Sequence, residues 1–423
     1  MILIKDGMVC AEGGFTAADV VIEGREIIAV GHGYVSEAAG AVQVIDASGC
    51  LVGPGFVDIH VHFREPGQTW KEDIESGSRA AAAGGFTAVV MMANTSPPID
   101  HPGAVRRALE RGEEVGLVEV AVAASMTAGH GEAPTDLEAL YDEGVRMFSD
   151  DGASVLDGSV LRSIMERLAG LDGAVVCQHA EDSAMTAGGH MHEGAVSARL
   201  GIGGLPSEAE SSVVRRDLGL VEATGAAYHC QHVSAAATVE LIREAKAEGL
   251  PVTAEVTPHH LVFDDTALEG LDTNFKMYPP IRAAADRDAL RDALGDGTID
   301  VVATDHAPHT ADEKATTFEL APRGVIGLET AASAVRETVG DPGRLFDAMS
   351  SAPALVAGLE RQGRPLAAGG PANVVVLAPD DTWAPRTFES RSSNSPFLGR
   401  RMRGRVRATV SEGNIAWRLG DGE

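Results

Sequence analysis

The stretch GFVDIHVHFREPG (residues 55–67) sets an apolar run, Phe56, Val57, Ile59, Val61 and Phe63, against two histidines and a charged exit. The run predicts a buried β-strand, and His60 and His62 interrupt it just before Arg64 and Glu65. Side chains alternate along a strand, so residues 60 and 62 share one face, about 7 Å apart along the chain. Two imidazoles projecting together from the C-terminal end of a buried strand can grip one metal ion. A lone histidine there would more simply be a core residue bonded to backbone carbonyls. The H-x-H pair favours the metal, provided that further ligands come from elsewhere.

Working outward, similar apolar runs recur: TAVVMMAN (87–94), EVAVAASMT (119–127), VRMFSDD (145–151), AVVCQHAE (174–181), AYHCQHVS (227–234), VTAEVTPHHL (252–261) and DVVATDHAPH (300–309). Amphipathic segments lie between them, among them residues 71–85, 207–224 and 235–249. Near-continuous apolar strands alternating with helices imply a parallel sheet covered on its faces, so the pattern predicts an α/β fold, a (β/α)8 barrel over residues 55–365. A doubly wound open sheet is the second choice. Residues 1–54 and 366–423 instead alternate short β-like pieces with glycine turns, which predicts a small flanking β-domain built from both chain termini.

With 423 residues the chain has room for one large barrel and a smaller domain. No segment approaches the roughly 18 unbroken apolar residues of a membrane span, and MILIKDGMVC lacks the basic-then-apolar pattern of a secretory signal. Cys10, Cys50, Cys177 and Cys230 are widely spaced, so reduced thiols in a cytoplasmic protein are expected. A formal net charge of −28 argues against nucleic acid and anionic membrane as partners. It also means that an anionic substrate would need a locally cationic pocket.

In a barrel, the C-terminal strand ends converge on one mouth. The polar residues there are His60 and His62, Asp150 and Asp151, His179, His232 and Asp305. Four histidines with two or three carboxylates exceed one tetrahedral ion and suit two divalent metals bridged by a carboxylate and a hydroxide. The remaining histidines read differently. His190 and His192 sit in a glycine-rich context and suggest a loop, His259 and His260 a supporting or structural role, and His32, His101 and His130 surface or turn positions.

Along its whole length the chain resembles the amidohydrolase superfamily. HVHFREPG, MMANTSPP, FSDDG, CQHAED, QHVSA, TPHHL, NFKMYPPIR, ATDHAPH and GLETA are similar to the longer, class I bacterial dihydroorotases. The resemblance implies reversible cyclisation of N-carbamoyl-L-aspartate to L-dihydroorotate in pyrimidine biosynthesis, by a hydroxide held between metals, with one or two Zn2+ ions per chain and two favoured. Many superfamily members bridge their metals with a carboxylated lysine, but no lysine occurs between Lys71 and Lys246. The FSDDG motif matches the branch that uses aspartate, with Asp151 at the matching position rather than Asp150. The implied metal ligands are therefore His60, His62, Asp151, His179, His232 and Asp305, with Asp305 also the proton carrier.

By the same resemblance, Arg64 binds the substrate carboxylate, a contact that suits its planar fork. His62, Asn94, Tyr278, His309, Arg323 and Gly324 match further substrate positions. Two of these depart from the usual pattern: Tyr278 stands where an asparagine is usual in K-x-N-P-P, and Arg323 where Phe or Pro usually precedes the glycine. Allantoinases and hydantoinases are the alternative enzymes, and a non-catalytic partner of aspartate transcarbamoylase is the alternative outside catalysis. A homodimer and an association with aspartate transcarbamoylase are both compatible with the resemblance. The long polar segment 309–324 is expected to be a lid.

Overall fold

Strands of up to ten residues build both ends of the chain, as seen in the computed structural model, which describes residues 1–11, 13–33, 42–131 and 133–420. Strands β1 (Ile2–Ala11), β2 (Gly14–Glu23), β3 (Glu26–Gly31), β4 (Gln43–Asp46) and β5 (Leu51–Pro54) come from the N-terminal part. Next come the parallel strands β6 (Phe56–Val61), β7 (Phe86–Met91) and β8 (Glu119–Val122), then β9 (Met147–Phe148) and β10 (Val175–Gln178). A small parallel pair, β11 (Met191–His192) with β12 (Gly204–Leu205), precedes β13 (Tyr228–Cys230), β14 (Val252–Val256) and β15 (Val301–Val302). Finally β16 (Val374–Trp383), β17 (Met402–Ser411) and β18 (Asn414–Arg418) return to the first sheet, where β16 pairs antiparallel with β5.

The terminal sheet runs β18-β17-β16-β5-β1-β2-β3, with β4 parallel to β1. Alternation gives this sheet two buried faces. Val374, Val376 and Ala378 of β16 pack with Val20, Ile22 and Val52, while Val375 and Leu377 point into the larger core with Phe56 and Phe86.

Parallel pairing runs β6-β7-β8 in one sheet and β9-β10-β13-β14-β15 in another. Single parallel bridges join the two sheets at both seams, Ala124 to Phe148 and Val61 to His306. Helices such as Ile74–Ala83, Gly158–Leu168, Glu208–Thr224 and Ala236–Ala247 connect successive strands. The first starts at an Asp73 cap whose side chain accepts from Ser76 N at 2.8 Å.

The strands are shorter than the apolar runs. Residues 300–309 supply only Val301–Val302 to the ladder, and 227–234 only Tyr228–Cys230. TPHHL leaves the sheet to form the helix Pro258–Val262, because the Thr257 hydroxyl accepts from His260 N at 3.2 Å and Pro258 suits a first helical position. The Met191–His192 pair places the second H-x-H partly in a strand rather than wholly in a loop.

Phe346 joins the two parts. Its ring lies 5.7 Å from Phe15 of β2 and 5.5 Å from Phe56 of β6, and a side-chain carbon on Gly53 would collide with it. Phe346→Ala is expected to destabilise the fold by about 3–5 kcal/mol, the usual cost of emptying a buried aromatic site. Urea unfolding followed by tryptophan fluorescence checks this, and a loss under about 1 kcal/mol would mean that the ring is dispensable.

Candidate active site

All the singled-out acids and histidines lie just beyond strand ends, except His60, which is inside β6. His62 follows β6, Asp151 follows β9, His179 follows β10, His232 follows β13 and Asp305 follows β15. The chain turns sharply there: Arg64, His232 and Asp305 have φ of 57°, 32° and 47°. Such left-handed values in residues other than glycine cost about 1–3 kcal/mol each and cluster at functional sites.

These residues meet in one buried cluster. Among the described residues, His60, His62 and Asp151 form one group of potential metal ligands and Asp151, His179 and His232 a second, with ligand atoms within 4.8 Å of one another in each. Asp151 belongs to both. Its Oδ1 lies 3.3 Å from His60 Nε2, 3.4 Å from His232 Nε2 and 3.6 Å from His179 Nδ1, and its Oδ2 lies 3.4 Å from His62 Nε2. Asp305 Oδ1 joins the first group, 2.9 Å from His62 Nε2 and 3.8 Å from His60 Nε2.

The donor set fits two divalent ions sharing a carboxylate. His60 Nε2 is buried without a hydrogen-bond partner, as a nitrogen reserved for a metal would be. Burial alone would raise the Asp151 carboxyl, but the imidazoles of His60, His179 and His232 hold it well below the usual carboxylate range. Burial likewise works against charge on His60, and the carboxylates of Asp151 and Glu255 outweigh it and raise its pKa.

Asp150 is occupied elsewhere. Its Oδ1 accepts from Met126 N at 2.7 Å and Thr127 N at 3.1 Å, and its Oδ2 accepts from the Thr127 hydroxyl. Of the two neighbouring aspartates, Asp151 alone reaches the imidazoles.

A cavity of about 190 Å3 opens beside the cluster, lined by His62, Arg64, Asn94, Asp151, Gly152, His179, Tyr278, Asp305, Ala307, His309, Arg323 and Gly324. Every residue expected to touch substrate is there. The Arg64 guanidinium has a buried Nε with no hydrogen-bond partner and, among the described residues, no carboxylate within ion-pair distance. Burial lowers its pKa against the pull of Asp305 and Asp151.

Asn94 does more than line the cavity. Its Oδ1 lies 2.9 Å from His62 Nδ1, and its Nδ2 donates to the Asp151 carbonyl at 3.0 Å and Oδ2 at 3.1 Å. Burial, with Arg64, Lys71 and Lys314 nearby, pushes His309 down to about 3, so its ring is neutral and donates through Nε2 to the Arg323 carbonyl at 2.9 Å. The two departures from the family pattern touch: the Arg323 guanidinium lies 3.9 Å over the Tyr278 ring and donates to the Gly189 carbonyl at 2.8 Å. Gly324, at φ 130°, allows a close approach, since a Cβ there would lie 2.9 Å from the Ala307 carbonyl oxygen.

The segment 309–324 is anchored. Lys314 Nζ donates to the carbonyls of Thr273, Lys276 and Pro322 at 2.9–3.2 Å, and Lys276 Nζ donates to those of Phe318 and Glu319. His260 is structural, bonded to Thr257 and to the Pro279 and Pro280 carbonyls.

Sequence reasoning missed Glu255. This buried carboxylate of β14 lies 2.6 Å from His60 Nδ1 and 3.0 Å from His229 Nε2. Burial would raise it, but His60 and His229 hold it well below its ordinary value. The available signal was a lone acid in the middle of an apolar parallel strand.

Comparison with known proteins agrees with this geometry. A family model described as dihydro-orotase-like matches residues 49–238. The dihydroorotases of Mycobacterium bovis and Mycobacterium tuberculosis are each 45% identical over 412 residues, covering 95% of this chain and 95% of theirs. Among solved structures, the L-hydantoinase (dihydropyrimidinase) of Arthrobacter aurescens superposes with a TM-score of 0.85 at 25% identity, over 99% of this chain and 96% of that one. Fold and site together define a metal-dependent hydrolase of cyclic amides. With such identity over nearly its full length, the chain belongs to the dihydroorotase family. Among the described residues no helix is long and apolar enough to cross a membrane.

The two aspartates are separable by experiment. Asp151→Ala is expected to lower bound divalent metal while the metal-stripped protein melts near the parent. Asp150→Ala, which strands buried N–H donors, is expected to keep its metal and lose about 1–3 kcal/mol of stability. Metal analysis and thermal unfolding of both variants decide, and full metal content in Asp151→Ala would remove it as the shared ligand.

Proposed function

We propose that this chain interconverts N-carbamoyl-L-aspartate and L-dihydroorotate, the ring-closing step of pyrimidine biosynthesis. The observation that carries the substrate is Arg64, a cavity-lining guanidinium whose buried Nε has no hydrogen-bond partner and which forms no close ion pair among the described residues. A buried cation of this kind fits the ring carboxylate through a bidentate contact. Hydantoins and allantoin have no such carboxylate, which weighs against those alternatives despite the structural likeness to a hydantoinase. The complete donor set weighs against a non-catalytic scaffold.

His60, His62 and Asp305 would hold one Zn2+, His179 and His232 a second, and Asp151 would contribute to both. Bound there, the ions would supply a water that ionises near neutral pH and would polarise the amide carbonyl. In the hydrolytic direction Arg64 holds the carboxylate while Asn94, His309 and Gly324 shape the pocket around the ring. Asp305 takes the proton of the attacking water and delivers it to the departing ring nitrogen. Tyr278 and Arg323 wall the cavity as a stacked pair.

The same reading extends to the architecture. The parallel strands of residues 55–365, bridged at both seams, support a closed (β/α)8 barrel, and residues 1–54 and 366–423 a small β-domain. The free thiols Cys10, Cys50, Cys177 and Cys230 support a cytoplasmic location.

Arg64→Met tests the substrate. Removing one partner of a desolvated charge pair is expected to lower kcat/KM for dihydroorotate by about 10²–10³-fold or more, with metal content unchanged. Ultraviolet-monitored turnover, with hydantoin and allantoin as controls, reads the outcome. Loss within a few-fold would reduce the assignment to an unspecified cyclic amidohydrolase.

Asp305→Asn tests the proton carrier. It is expected to lower kcat by about 10²-fold or more while the histidines retain metal. Near-normal kcat at full metal occupancy would take that role away from Asp305.

A further inference from the structure

Glu255 is fully buried and lies outside the cavity, so the chemistry above leaves it without a task. Its two oxygens are nonetheless fully engaged. Oε1 lies 2.6 Å from His60 Nδ1 and accepts from the backbone N–H of His232 at 3.1 Å. Oε2 lies 3.0 Å from His229 Nε2, and His229 Nδ1 lies 2.8 Å from the Thr253 hydroxyl.

The contact to His60 fixes a tautomer. A proton on Nδ1 is donated to the carboxylate, so when the ring serves as a metal ligand Nε2 is the nitrogen left to face the ion, and Nε2 is the one without a hydrogen-bond partner beside Asp151. Gln231 Nε2 also stands near Nδ1, at 3.3 Å, but it is a donor, and the shorter carboxylate contact decides the proton's place. The contact to His232 acts on the backbone. That residue has φ of 32°, and pinning its N–H holds the turn that aims Nε2 at Asp151 Oδ1, 3.4 Å away. His60 and His232 belong to different ligand groups. One carboxylate oxygen therefore steadies a ligand in each.

We propose that Glu255 is the positioning residue that couples the two metal sites, orienting His60 through its ring and His232 through its main chain. The proposal rests on the ligand assignment above. His229 holds the far oxygen, so a chain Thr253–His229–Glu255–His60 ties the neighbouring strands β13 and β14 to β6 of the other sheet.

The experiment is zinc affinity, measured by chelator competition on the full chain. Glu255→Gln keeps the size but removes the charge, and it is expected to weaken zinc binding at both sites by about 10–100-fold. Two further readouts separate positioning from general stability. The metal-stripped variant should melt within a few degrees of the metal-stripped parent, and at saturating zinc the KM for dihydroorotate should stay the same. Unchanged zinc affinity, or weakening of only one of the two ions, would overturn the coupling. So would a drop in metal-free melting large enough to account for the lost affinity.

If Glu255→Gln does not fold, His229→Gln leaves the carboxylate in place and loosens only its far oxygen. It is expected to weaken both ions by a few-fold, and no change would overturn the proposal. Zinc bound no more tightly by the parent than by Asp151→Ala would instead sink the ligand assignment itself, and this inference with it.

Discussion

The ring nitrogens of His60, His62, His179 and His232 all stand within 3.3–3.6 Å of the buried Asp151 carboxylate, and that crowding constrains everything around it. Ionisable groups removed from water cost several kcal/mol each unless they are paired and hydrogen-bonded. Imidazoles that give up a proton to face a shared carboxylate offer lone pairs to a cation, and two divalent ions would satisfy such a set. The surrounding structure serves this arrangement: Asn94 backs His62, Glu255 backs His60, and Asp150 ties down the backbone at Met126 and Thr127.

Charge is distributed on two scales. The chain as a whole is strongly acidic, with a formal net charge of −28. The cavity nevertheless gathers Arg64 and Arg323, with Lys71 and Lys314 close behind His309. Surface charge is screened beyond about 10 Å in ordinary salt, so an anion in the pocket meets mainly the groups that line it, the cationic Arg64 and Arg323 and the acidic Asp151 and Asp305. Lys314, pushed down to about 7 by burial, spends its donors on three carbonyls and so anchors the wall of the pocket instead of facing substrate.

Much of the site was legible because strand periodicity is local. His60 and His62 announce themselves two residues apart, and the acids and histidines at later strand ends follow the same rule. The length of each strand was less legible, since His232 and Asp305 lie past ladders of only two or three residues. Left-handed turns there reshape runs whose composition still reads as strand. Tyr278 and Arg323 were visible as two separate departures, while their stacking into one contact was not.

The sequence by itself determined the α/β alternation, the strand-rich ends and the identity of the candidate ligands, because each depends on spacing within a few residues. Spacing alone left the two adjacent aspartates equal and the family motif pointed to Asp151; the tertiary structure showed why, with Asp151 facing the imidazoles and Asp150 holding the backbone of Met126 and Thr127. It alone brought Glu255 to His60, 195 residues away in sequence. A single acid in an apolar strand has no periodic partner, so its role exists only where folding closes the distance and burial forces the carboxylate to find donors.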